Sequence, residues 1–128
     1  MVNINHHGAV NGVPGSCHEL SISPNKEFSK AGILIDCGLF QGNESKVRSS
    51  AQALAIDFPI DHIRALVVTH VHIDHVGRIP YLLAAGFDGP IICSEPSAVM
   101  LPEILEDALK IGFTRDRRLI ERVLGVIR

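Results

Sequence analysis

The segment HIRALVVTHVHIDHVG, residues 62–77, constrains this chain more than any other. An apolar run, Ala65 to Val68, opens directly onto His70, His72, Asp74 and His75, four ligand-type side chains within six positions. The run reads as a buried strand over 62–70, rich in Val and Leu. At a strand end, residues two apart point the same way, so His70 and His72 can converge on one cation. Asp74 and His75 then turn into the following loop, where they can serve a second. Imidazole with carboxylate is a donor set for zinc, manganese or iron and not for calcium. Gly77 and a helix come next, which puts the cluster at the rim of a sheet, where α/β folds carry their sites.

The rest of the chain supplies that sheet. Residues 9–23 mix glycine turns with alternating apolar positions, and Leu20, Ile22 and His18 fall on one strand face. SPNKEFSK (23–30) is turn chemistry. AGILIDCG (31–38) is a short apolar run closed by glycine, a second strand forming an antiparallel hairpin with the first. Residues 41–61 are polar and irregular, with one helical turn expected at SSAQALA. VGRIPYLLAAG (76–86) reads as a helix with Pro80 in its first turn and Gly86 as its stop. GPIICS (89–94) is a further strand. Residues 95–111 read as a helix that Pro102 kinks or divides. Residues 114–128 form a last amphipathic helix, with Leu119, Ile120, Val123, Leu124 and Ile127 on one stripe. The expected order is β-β-loop-β-α-β-α-α, an α/β (mixed α+β) fold with one mixed sheet.

Composition sets the outer limits. A chain of 128 residues that is 46% apolar can build one core of ordinary size. No apolar run reaches membrane-spanning length and no secretory leader is visible, so no membrane partner and a cytoplasmic location are expected. Twelve basic residues face fourteen acidic ones, so net charge argues neither for nor against nucleic acid. Cys17, Cys37 and Cys93 contain no C-x-x-C pair, which excludes a thiolate zinc knuckle; reduced thiols are expected, with Cys17 and Cys37 packing as small apolar groups. The glycine-rich stretch 8–15 has no helix after it and is not expected to cradle phosphate. His6 and His7, adjacent and terminal, are expected to face solvent. The RDRR run (115–118) reads as the solvated start of a helix, with contact to RNA phosphates as the alternative.

With these residues in view, THVHIDHVG resembles the H-x-H-x-D-H signature of the metallo-β-lactamase superfamily. GSCHEL (15–20), ILIDCGLFQG (33–42), FPIDHIRALVVTH (58–70) and GRIPYLLAAGFDGPIICS (77–94) extend the likeness, more specifically to the amino-terminal part of β-CASP ribonucleases of the RNase J and cleavage-and-polyadenylation type. The resemblance implies the first half of an αββα sandwich, with helices on one face of the sheet. It implies His70 and His72 on a first metal and Asp74 and His75 on a second, most simply two zinc ions, with manganese as the alternative. Asp74 and Asp36 would carry the catalytic carboxylates. Asp36 would orient the ligand loop; a strand-end turn former is the plainer reading of it. His18 would either approach the site or serve as a buried structural histidine.

The resemblance also implies ligands that these residues do not contain. No histidine follows His75, and no later carboxylate stands in a matching context. Residues 1–128 are therefore expected to be a partial metallo-β-lactamase domain lacking the second half of the sandwich and the β-CASP cap. That predicts partial metal occupancy, little activity of the chain alone, and self-association through the uncovered apolar face. The implied activity is metal-dependent phosphodiester hydrolysis of RNA. Hydrolysis of a small ester or thioester, and a non-catalytic metal-binding or interaction module, are the alternatives.

Overall fold

A computed structural model describes residues 1–12, 15–24, 29–40 and 55–108. Five strands form one sheet: β1 (Val2–Gly8), β2 (Cys17–Ile22), β3 (Ala31–Ile35), β4 (Ile63–Val67) and β5 (Ile91–Ile92), hydrogen-bonded in chain order. β1 with β2 and β2 with β3 pair antiparallel, and β3 with β4 and β4 with β5 pair parallel. Helices α1 (Ile73–Val76) and α2 (Ile79–Ala84) lie between β4 and β5, and α3 (Glu95–Ala108) follows. The mixed sheet expected from the apolar runs is present.

The helices cover one face. Leu34 and Leu66, paired across β3 and β4, are fully buried beneath Val76, Ile79, Leu82, Leu101 and Leu105. Cys17 and Cys37 join this core, as expected of small apolar groups. Cys17 is hydrogen-bonded to Cys37, which together with burial pushes the Cys17 thiol pKa up. Among the described residues the opposite face is open. Leu20, Ile22, Ala31 and Ile33 line an apolar depression there, and Val2, Ile4 and Ile22 are exposed.

Four sequence expectations need correction. The amino terminus forms β1, an edge strand in which Val2, Ile4 and His6 oppose Ile22, Leu20 and His18. His7 consequently does not face solvent. Its Nε2 lies 2.9 Å from Oε1 of Glu19, and its ring stacks on Phe58 at 3.7 Å. The expected helix over 76–86 is present as the shorter α2, Ile79–Ala84, with Pro80 in its first turn, and the separate turn α1 precedes it. Pro102 lies inside one uninterrupted 14-residue helix instead of dividing it. The buried Ser97, Leu101, Leu105 and Ala108 of that helix continue across the proline, so packing outweighs its local cost. The expected turn around 49–55 (apart from Ala55), the last helix and RDRR lie outside the described residues.

Glu19 ties the antiparallel half to the parallel half. This carboxylate is 2% exposed and meets His7, His62 (Nε2 to Oε2, 2.8 Å) and Lys30 (3.4 Å). Burial pushes its pKa up. The hydrogen bonds from His62 and His7 and the charges of His62 and Lys30 outweigh that and hold it at about 2.

Candidate metal centre

The strand that aims the cluster is shorter than its apolar run suggests. β4 ends at Val67, and Val68 still donates to the Ile92 carbonyl at 2.9 Å. His70 and His72 therefore lie beyond the ladder, in the loop entering α1. Strand alternation does not bring them together; the loop does. The rings of His70 and His72 stand 4.9 Å apart and those of His70 and His75 3.9 Å apart. Asp74 and His75 belong to the single turn of α1, whose N-cap residue is His72.

Asp36 holds this loop from beneath. It is 2% exposed and has φ of 64°, a left-handed backbone that aspartate tolerates better than most residues. Thr69 donates its backbone N–H to Oδ1 at 2.8 Å and its hydroxyl to Oδ2 at 2.7 Å. His75 Nδ1 lies 2.7 Å from Oδ2, and the Ser16 hydroxyl reaches the same oxygen at 3.4 Å. A carboxylate can only accept, so the proton of His75 sits on Nδ1 and its Nε2 carries a free lone pair. That Nε2 is 3.7 Å from Oδ2 of Asp74. His70 is turned in the same sense, with Nδ1 3.1 Å from the Thr69 hydroxyl, which leaves its Nε2 outward.

The backbone around Asp36 is laced to the ligand loop. Cys37 N–H donates to the His75 carbonyl at 2.8 Å and Leu39 N–H to the Ile73 carbonyl at 3.0 Å. Gly38 N–H donates to the Ser16 carbonyl at 2.9 Å, and Ser16 N–H to the Asp74 carbonyl at 3.0 Å. Gly38 passes so close to α1 that a Cβ there would land on the Asp74 carbonyl. Arg78, fully buried, donates Nε to the Gly38 carbonyl and lies over the Phe40 ring, 4.3 Å from its centroid.

The sequence-predicted residues thus divide. His70, His72, Asp74, His75 and Asp36 come together. His18 does not enter the cluster; it lies half-exposed on the open face beside His6. Among the described residues no three ligand-type side chains have their donor atoms gathered on one point. The fit to a metal rests on the donor set instead: His70 and His75 with Nδ1 engaged and Nε2 free, the His72 imidazole beside them, and the Asp74 carboxylate. Thr69, Ser16 and Arg78 were missed in the sequence. Thr69 carried a usable signal, a hydroxyl directly before the first histidine; Ser16 and Arg78 reach the site only through the fold.

The family model of the metallo-β-lactamase superfamily matches residues 28–126. The chain belongs to the metallo-β-lactamase superfamily. Among similar members, Ribonuclease TTHA0252 of Thermus thermophilus is 36% identical over 81% of this chain and 22% of its own length. Cleavage and polyadenylation specificity factor subunit 3-II of Arabidopsis thaliana is 32% identical over 84% of this chain and 17% of its own length. Transcription termination factor FttA of Methanocaldococcus jannaschii is 38% identical over 62% of this chain and 12% of its own. The resemblance to the amino-terminal part of β-CASP nucleases stands. The chain spans about a fifth, or less, of the length of these curated relatives.

Proposed function

We propose that this segment belongs to a metal-dependent ribonuclease, and that His70, His72, Asp74 and His75 are its metal-holding residues. The observation that carries the reading is the Asp36–His75 hydrogen bond, which fixes the tautomer and leaves Nε2 beside Asp74. RNA as substrate is supported by relatives named as a ribonuclease and as a cleavage and polyadenylation factor. Bound between these donors, two divalent cations, zinc first and manganese second, would supply Lewis acidity at a phosphodiester and a stronger nucleophile from water.

This chain's own residues do the positioning. Asp36 keeps the His75 proton on Nδ1, and Thr69, donating twice to Asp36, sets the start of the ligand loop. His70 and His72 offer imidazole nitrogen from the exposed side of the loop; Asp74 supplies the carboxylate. Two protein donors per cation leave each half-satisfied, so partial occupancy is expected of residues 1–128 alone. The proposal includes self-association through the open face, supported by the exposed Val2, Ile4 and Ile22; a single-chain mass by light scattering at micromolar concentration contradicts that part.

The test of function is cleavage of labelled single-stranded RNA by the whole polypeptide in which this segment occurs, with zinc or manganese. Cleavage that falls by ~100-fold or more in Asp74→Asn supports the reading. Turnover of ester or thioester substrates with RNA left intact contradicts it.

A further inference from the structure

A second histidine pair lies outside the cluster. His6 and His18 are direct partners in the β1–β2 register, and their Nδ1 atoms are 2.7 Å apart. The rings meet edge to face at 82° with centroids 4.9 Å apart. Both belong to the open sheet face, with His6 exposed and His18 half-exposed.

Each neutral imidazole has one N–H and one lone pair. At 2.7 Å one Nδ1 must donate and the other accept. If the donor ring moves its proton to Nε2, both Nδ1 lone pairs face each other, and a rotation of each ring by a few tens of degrees turns them onto one cation. A late first-row cation bonds imidazole nitrogen at about 2.0–2.1 Å, so two such bonds at right-angled to tetrahedral geometry need roughly 2.9–3.4 Å between nitrogens. The pair needs to open by only a few tenths of an ångström. The antiparallel ladder holds both Cα atoms, so two donors are already gathered before a cation arrives. Burial is the largest influence lowering the pKa of His18, with Asp36 opposing it, and His75 is also within electrostatic reach.

We propose that His6 and His18 form a two-histidine site for a late first-row divalent cation of the nickel, copper or zinc type, with water completing the coordination. It is separate from the His70–His75 cluster and does not depend on the ribonuclease reading. It differs also in chemistry, since its donors are Nδ1 whereas His70 and His75 offer Nε2.

The test uses Ni²⁺, which leaves the free thiols unoxidised, titrated into the chain by calorimetry and by NMR of the histidine rings. The His70→Ala/His72→Ala/Asp74→Ala triple variant leaves the cluster with His75 as its one remaining donor. It should retain a binding event that broadens the His6 and His18 ring signals together. Adding His6→Ala, a change on an exposed edge strand, should weaken that event by roughly tenfold or more, about 1.4 kcal/mol. In the unmutated chain the same two ring signals should broaden at the lowest Ni²⁺ additions that affect either ring. Binding unchanged by His6→Ala, or His6 and His18 signals that stay sharp while Ni²⁺ binds elsewhere, overturns the proposal.

Discussion

Oδ2 of Asp36 stands 2.7 Å from Nδ1 of His75, a contact across 39 positions of sequence that fixes which nitrogen of the histidine is free. Asp36→Asn keeps the size and the tolerance for φ of 64° but has one acceptor oxygen instead of two, so an amide NH2 faces either the Thr69 N–H or the His75 Nδ1–H and Thr69 hydroxyl. The expected outcome is a loss of about 1–3 kcal/mol of stability in urea and a fall in zinc affinity of about 10–100-fold. Zinc affinity within twofold of the unmutated chain would show that Asp36 is only a turn former.

Gly38 is required by contact with α1. Gly38→Ala puts a Cβ on the Asp74 carbonyl, and neither backbone can yield without breaking the Cys37 and Leu39 hydrogen bonds to α1. A destabilisation of about 2–3 kcal/mol is expected, read as a lower urea midpoint at unchanged slope. A midpoint equal to that of the unmutated protein contradicts the close packing of these segments.

Glu19 should make the fold acid-sensitive. Its folded pKa of about 2 lies below the ordinary glutamate value of 4.5, so its contribution is present above pH 4.5 and is lost as pH falls toward 2. The shift corresponds to on the order of 3 kcal/mol at neutral pH. Glu19→Gln should lower stability at pH 7 and flatten the loss between pH 4.5 and 2. Denaturation curves at pH 7, 4 and 3 for both proteins measure this; parallel pH profiles would remove Glu19 as the source.

Much of the sheet was legible because its strands are apolar runs closed by glycine or turn residues. β2, β3 and β4 follow from ILID, RALVV and the alternation around Leu20 and Ile22. β1 was not legible: VNINHHG alternates, but with only two apolar side chains against a face open to solvent, so hydrophobic patterning is weak. The burial of His7 depends on Glu19 and Phe58, distant positions that no local pattern connects. The ligand residues were legible as a cluster, whereas the means of gathering them was not. Strand alternation predicted parallel His70 and His72 side chains, but β4 stops at Val67, and hydrogen bonds from residues 16 and 36–39 shape the loop instead.

In the proposed metal centre the imidazoles of the His70–His75 loop bind divalent cations, His70 and His75 through Nε2. Nitrogen-15 NMR of the imidazoles during zinc titration tests it most directly. Zinc-dependent shifts are expected at Nε2 of His70 and His75 and at one ring nitrogen of His72, with His75 Nδ1 remaining protonated and saturation reached only at high zinc. Ring-nitrogen signals of all three histidines that stay fixed while zinc binds elsewhere rule this out.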